Sequence, residues 1–140
     1  MEQENNEMMR IANEKRGELL ACGKAFPGYV VHINDWWWGK TFTIAHENGI
    51  GIVELQLDDS YPSVAFIKGL SVWPDNRHHG IGAELMSVCE KIAKHEGYKF
   101  LQLSVIHTGS WLPEWYRRLG FSVFMKDEHE FVMMKCIEAI

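Results

Sequence analysis

The fold is decided by residues 70–85, Leu70-Ser71-Val72-Trp73-Pro74-Asp75-Asn76-Arg77-His78-His79-Gly80-Ile81-Gly82-Ala83-Glu84-Leu85. This stretch leaves a β-rich apolar run, turns sharply at Pro74, and enters a segment whose apolar residues recur at helical spacing. Gly80 and Gly82 let the backbone approach a ligand closely, with no Cβ in the way. The N–H groups of a first helical turn have no intrahelical partner, so an anion is favoured at the helix start. Arg77, His78 and His79 can add charge at the rim. A phosphate or pyrophosphate site is the expectation. Two common nucleotide sites fit poorly. A P-loop ends in Gly-Lys-Ser/Thr to reach the terminal phosphates and magnesium, whereas Gly82-Ala83-Glu84 stands here. A dinucleotide fingerprint needs a third glycine, and Glu84-Leu85 supplies none.

Downstream, Leu85, Met86, Val88, Cys89, Ile92 and Ala93 form one stripe of an amphipathic helix over residues 82–96. Gly97 suits a left-handed cap just past its end. Residues 99–106 predict a strand, with Leu101, Leu103 and Val105 on one face against Gln102 and Ser104. A short helix over 113–119 follows, with Pro113 near its first turn and Gly120 after its last. Residues 121–125 and 131–137 read as a hairpin around Lys126-Asp127-Glu128-His129.

Upstream, residues 63–72 are apolar at both alternating positions, as expected for a strand in the middle of a covered sheet. Residues 41–46 and 50–57 flank Glu47-Asn48-Gly49, a hairpin connection. Residues 29–33 read as a further strand. Residues 5–22 carry Met8, Ile11, Ala12, Leu19 and Cys22 at helical spacing, ended by Gly23 and the Pro27-Gly28 pair. The order predicts an α/β (α+β) fold with a mixed, mostly antiparallel central sheet and helices on both faces. Residues 63–106 supply the one parallel strand–helix–strand unit.

The chain has 140 residues, the size of one domain, and 46% of them are hydrophobic against 24% charged, so it reads as globular. No apolar run is long enough to span a membrane, and residues 1–10 lack the pattern of a secretory signal. No membrane partner is expected, and the expected location is cytoplasmic. A net charge of −5 argues against nonspecific nucleic-acid binding and suits a cationic small acceptor. Cys22, Cys89 and Cys136 are widely spaced and read as reduced, with Cys89 and Cys136 on apolar faces as core fillers.

The segment LSVWPDNRHHGIGAEL resembles the signature of the GNAT superfamily of N-acetyltransferases: apolar strand, Arg/Gln-x-x-Gly-x-Gly/Ala, amphipathic helix. A second block, WYRRLGF over residues 115–121, resembles the family's Tyr-x-x-x-Gly-Phe segment. The resemblance covers roughly residues 41–137. It implies a single GNAT-like domain over 1–140, with a reduced N-terminal region (1–40) and a cofactor-binding core (41–137). It implies that acetyl-CoA is a co-substrate, its pantetheine arm paired against Leu70, Ser71 and Val72. The pyrophosphate would meet backbone N–H groups of Arg77, His78, His79, Gly80, Ile81, Gly82 and Ala83. The thioester would lie where that strand and residues 99–106 splay apart, a backbone N–H near Leu70 polarising its carbonyl. Tyr116 would protonate the departing thiolate. The acceptor implied is a small-molecule or peptide amine that attacks directly.

Three features depart from the family pattern. Gly109 stands seven residues before the tyrosine, where many members carry Asn. Ala65-Phe66-Ile67 offers no Glu where some members place a base. The N-terminal region is short, which implies that part of the acceptor wall is reduced or supplied by a second subunit. A catalytically inactive acyl-CoA-binding module acting through a partner is the alternative function. Glu54, Asp58, Asp59 and His107 are all candidates for the base. No metal is expected: adjacent His78 and His79 point in different directions, and neither His95 nor His107 completes a ligand spacing. Trp36-Trp37-Trp38 cannot all face one core. They fit a strand edge or the contact of a homodimer, or an aromatic wall for a cationic acceptor.

Overall fold

Alternation and turn chemistry set the strands in place. The computed structural model describes residues 26–77 and 79–138; the helix expected over 5–22, with Cys22, and His78 lie outside them. The strands are β1 (Tyr29–Trp36), β2 (Gly39–His46), β3 (Gly51–Asp58), β4 (Val64–Val72), β5 (Phe100–Ile106), β6 (Ser122–Lys126) and β7 (Glu130–Cys136). They form one sheet in the order β1-β2-β3-β4-β5-β7-β6. Only β4 and β5 run parallel; the other neighbours are antiparallel. Among the described residues the helices are α1 (Ile81–His95) and α2 (Leu112–Arg118), with a 3-10 turn at Pro74–Asn76.

The core lies between the sheet and α1. Leu85, Met86, Val88, Cys89, Ile92 and Ala93 are all buried, the stripe that the helical period marked out. They meet the inward-facing Ile33, Phe42, Ile44, Val53, Leu55, Ala65, Leu101 and Met133. Burial of this many large apolar side chains is the main stabilising term, at about 1.5–3 kcal/mol each. The helix α2 lies beside α1: a Cβ on Gly82 would come 3.2 Å from the Trp115 ring. Lys135 of β7 and Glu90 of α1 form a partly buried ion pair, 3.0 Å apart.

The end of α1 is built as the sequence suggests. Gly97 has φ of 86°, its N–H donates to the Lys94 carbonyl at 3.0 Å, and the Tyr98 N–H donates to Ala93 at 2.9 Å. Both bonds of a Schellman cap are therefore present. Alanine at 97 would have to hold a left-handed conformation, so Gly97→Ala should cost about 1 kcal/mol, read as a lower urea midpoint with unchanged slope.

Two sequence expectations are corrected. Cys136 is exposed, unlike the buried Cys89. It pairs with Phe100 at the end of β7, on the face of the sheet away from α1. The strand β4 is not covered on both faces among the described residues. Ala65 and Ile67 are buried, Val64 and Phe66 are half-buried, and Lys68, Gly69 and Ser71 are exposed. The alternation also changes phase, through a local shift in register. Between the pairs Ile52↔Ser71 and Glu54↔Lys68, β3 advances two residues while β4 advances three. The extra residue is a β-bulge, and Gly69 within it has φ of 65°. Before the bulge the odd-numbered residues Ala65 and Ile67 face the core. After it the even-numbered Leu70 and Val72 do.

Candidate functional site

Pairing between β4 and β5 is brief. It runs through Val64↔Phe100, Ala65↔Leu101 and Phe66↔Gln102 and then stops. From Ile67 onward the two parallel strands diverge, although β4 continues to Val72 and β5 to Ile106. The wedge opens beside the bulge, so the edge of Leu70-Ser71-Val72 faces a gap rather than a neighbouring strand. Leu70 and Val72 pack inward on the core while Ser71 is exposed. This is the geometry that strand addition by an extended ligand needs.

The same strand delivers the chain to the anion-favouring helix end. After Val72 the backbone makes the 3-10 turn, and the Arg77 Nε–H donates back to the Val72 carbonyl at 3.1 Å. Arg77, His79 and Gly80 are exposed at the rim. Gly80 is the residue before the helix, with φ of 82°, and no side chain caps this end. The first helical bond runs from the Glu84 N–H to the Gly80 carbonyl at 2.9 Å. The N–H groups of Ile81, Gly82 and Ala83 precede it, so they are available to an anion. Glu84, which would oppose one, has its carboxylate engaged by the Tyr29 hydroxyl of β1. Burial, then that bond, raises the Tyr29 pKa.

The two glycines serve different ends. Gly80 needs its left-handed conformation, and a Cβ there would touch nothing within 4 Å. Gly82 is ordinary helix, but its Cβ would meet Trp115 ring atoms at 3.2 and 3.3 Å and Val72 Cγ2 at 3.8 Å. Trp115 thus seals the helix start against the strand. In the sequence Trp115 stands out only as part of the WYRRLGF motif; its spacing from Gly82 shows only in three dimensions. Gly69 was also missed, although an isolated glycine in a strand pattern is a signal for a bulge.

Tyr116 follows Trp115 on α2 and is 8% exposed. Its ring packs against Trp115, centroids 5.0 Å apart, and against Phe121 at 5.9 Å. Burial, with a contribution from Cys89, raises the phenol above its ordinary value. A tyrosine so placed is protonated at neutral pH and can give a proton but is a poor base. Gly109, with φ of 65°, sits in the loop between β5 and α2 with open space around it.

The candidates for a base are spread apart. Glu54 and Lys68 face each other across β3 and β4, and Gln56 Nε2 donates to Glu54 Oε2 at 3.1 Å. Asp58 ends β3, its Oδ1 accepting the Ser60 N–H at 2.9 Å. The Asp59 N–H donates to the Trp38 carbonyl at 2.8 Å. His107 lies past the end of β5, its Nε2 3.0 Å from the Asp127 carbonyl oxygen and its ring stacked on Phe131. Asp127 itself is held below the usual carboxylate range by the N–H groups of Glu130 and His129. On the sheet face away from α1, a cavity of about 330 Å³ is lined by Gln56, Asp58, Tyr61, Phe66, Lys68 and Gln102. The Trp triad turns from β1 to β2: Trp37 is 94% exposed, and Trp36 stacks on Trp38 with centroids 6.3 Å apart.

Among the described residues no three His, Cys, Asp or Glu side chains group as metal ligands. No helix among them is long and apolar enough to cross a membrane.

Comparison with known proteins gives this geometry a context. A family model, the acetyltransferase (GNAT) family, matches residues 5–121. Among solved structures the chain is similar to the PaiA N-acetyltransferase from Thermoplasma acidophilum in complex with coenzyme A. The identity is 28% and the TM-score 0.59, over 69% of this chain and 59% of that one. The chain thus spans about three-fifths of that relative's length. A GNAT family acetyltransferase from Elizabethkingia anophelis with acetyl-CoA bound matches at 14% identity and a TM-score of 0.61, over 79% and 99% of the two chains. An aminoglycoside 6'-N-acetyltransferase complexed with coenzyme A matches at 16% and 0.63, over 71% and 74%. The last two likenesses concern the fold.

Proposed function

We propose, since this chain belongs to the acetyltransferase (GNAT) family, that it transfers an acetyl group from acetyl-CoA to an amine by direct attack on the thioester. The observation that carries this reading is the wedge between β4 and β5, opening at the bulge and leading to the uncapped start of α1. An extended pantetheine arm fits the free edge of Leu70, Ser71 and Val72. The pyrophosphate fits the helix start, against the backbone of Gly80, Ile81, Gly82 and Ala83, with Arg77 and His79 at its rim.

In this reading the roles are those that the family resemblance implies. The bulge lies beside the gap, and a Leu70 N–H there would stabilise charge developing on the thioester oxygen. The amine attacks the carbonyl carbon, the carbon–sulfur bond breaks, and Tyr116 gives its proton to the departing thiolate. The amine's surplus proton leaves to a base or to water. The reaction forms one amide and releases coenzyme A, with no covalent enzyme species. A cytoplasmic location belongs to the same proposal, since acetyl-CoA must be supplied there.

The test is calorimetric titration with coenzyme A and with acetyl-CoA. Saturable binding near one ligand per chain is expected from both. A folded sample that binds neither at millimolar concentration would sink the proposal. Binding of both without turnover on a broad amine panel would favour a binding module.

A further inference from the structure

The cavity on the sheet face away from α1 has a charge layout that bears on the acceptor, an inference that rests on the acetyl-transfer reading above. Its floor is the outer face of three strands, Gln56 of β3, Phe66 of β4 and Gln102 of β5 lying in one row across the sheet. Lys68 borders the cavity at the end nearest the bulge, one residue before Gly69. Asp58 borders it at the other end. Lys68 is registered with Glu54, and Asp58 lies four residues beyond Glu54 along β3. At about 3.3 Å per residue the two ends are roughly 13 Å apart along the strand. The cavity therefore runs from the wedge, where acetyl transfer would occur, to a carboxylate well away from it.

The two ends suit opposite demands on an amine. Beside the wedge, Lys68 stands opposite Glu54, so the two charges offset each other and this end has no net pull on a cation, while only the neutral form of an amine attacks. At the far end, Asp58 is positioned by the Ser60 N–H on its Oδ1. Tyr61 and Phe66 stand beside it edge to face, centroids 5.5 Å apart. A carboxylate with aromatic faces is a receptor for an ammonium group. Asp59, next to Asp58 in the chain, adds a second negative charge at this end.

We infer that the cavity selects an aliphatic diamine, its reacting amine at Lys68 by the wedge and its second, protonated amine held by Asp58 beside the Tyr61–Phe66 pair. Asp58 is then a specificity-determining residue, separate from the chemistry of bond exchange. Gln56 and Gln102 line the path between the ends and offer polar contacts that do not discriminate charge.

The experiment compares three acceptors of similar length: hexylamine, hexamethylenediamine and aminocaproate, which replaces the distal ammonium by a carboxylate. The wild-type kcat/KM for the diamine should exceed that for the monoamine by about tenfold, through KM, and aminocaproate should be the poorest. In Asp58→Asn the diamine-to-monoamine ratio should fall toward one; asparagine keeps an oxygen for the Ser60 N–H, and a thermal melt checks the fold. Calorimetry of hexamethylenediamine against the coenzyme A complex reads the cavity independently of turnover. Diamine binding that Asp58→Asn weakens upholds the cavity assignment even if no acetyl transfer is found, and the failure then belongs to the catalytic reading. Equal kcat/KM for monoamine and diamine, a preference for aminocaproate, a diamine preference that survives Asp58→Asn, or no diamine binding to a coenzyme A-loaded protein would each overturn the inference.

Discussion

Replacing Gly82 with leucine should weaken coenzyme A binding by about a hundredfold while the chain stays folded. The Cβ alone would lie 3.2 and 3.3 Å from two Trp115 ring atoms, tighter than ordinary contact, and 3.8 Å from Val72. The remaining leucine atoms must displace the indole or project toward the helix start. Overpacking of this kind costs about 1–3 kcal/mol, and most of it falls where a phosphate would approach the N–H groups of Gly82 and Ala83. A loss near 3 kcal/mol in binding is about two orders of magnitude. The residue is half-buried at the helix start rather than in the core, so the melting temperature should move by only a few degrees. Calorimetry with coenzyme A reads the effect; an affinity within about threefold of wild type would remove Gly82 from the site.

Tyr116→Phe should behave in the opposite way, with binding retained and turnover reduced. The change removes one hydroxyl and keeps the ring between Trp115 and Phe121. A positioned general acid contributes about 10²–10⁴-fold, so kcat should drop by at least about a hundredfold, with affinity for acetyl-CoA within about twofold. The direction of the Tyr116 shift also fixes the pH dependence. Burial raises its pKa, so the acid form persists through neutrality and is lost only above the ordinary tyrosine value of about 10. An alkaline limb of kcat that starts above that value in the wild type, and disappears in the phenylalanine variant, would tie the limb to this group. Unchanged kcat would exclude Tyr116 as the acid.

Much of this was legible in the chain because it rested on local rules. The stripe of α1 needs only the helical period, and Leu85, Cys89 and Ile92 obey it. The Gly97 cap and the strand alternation of Leu101, Leu103 and Val105 are likewise local. Two motif blocks in the right order carried the family resemblance, and the family model agrees with it.

What was not legible depended on distance in space. Nothing in WYRRLGF says that Trp115 packs over Gly82. Nothing in the final hairpin says that β7, not β6, pairs with β5. Cys136 sits in an apolar sequence and was read as buried, but its side is set by pairing with Phe100. The apolar run before Val72 looked like a strand covered twice. A single extra residue at the bulge instead divides its faces, and a simple alternation count cannot see a change of phase. The cavity escaped for a related reason, since Gln56, Phe66 and Gln102 come from three strands and become neighbours only by register.

That change of phase in β4 has a consequence for how such a chain can vary. The strand holds two reading frames: one in which Ala65 and Ile67 must stay apolar, and one in which Leu70 and Val72 must. Gly69 is the seam between them, and it isolates each half from substitutions in the other. The outward positions of the first half, Phe66 and Lys68, can be exchanged without disturbing the inward positions of the second. A lineage could therefore retune what lies against the first half, acceptor preference in the proposal above, while the edge offered to coenzyme A stays as it is.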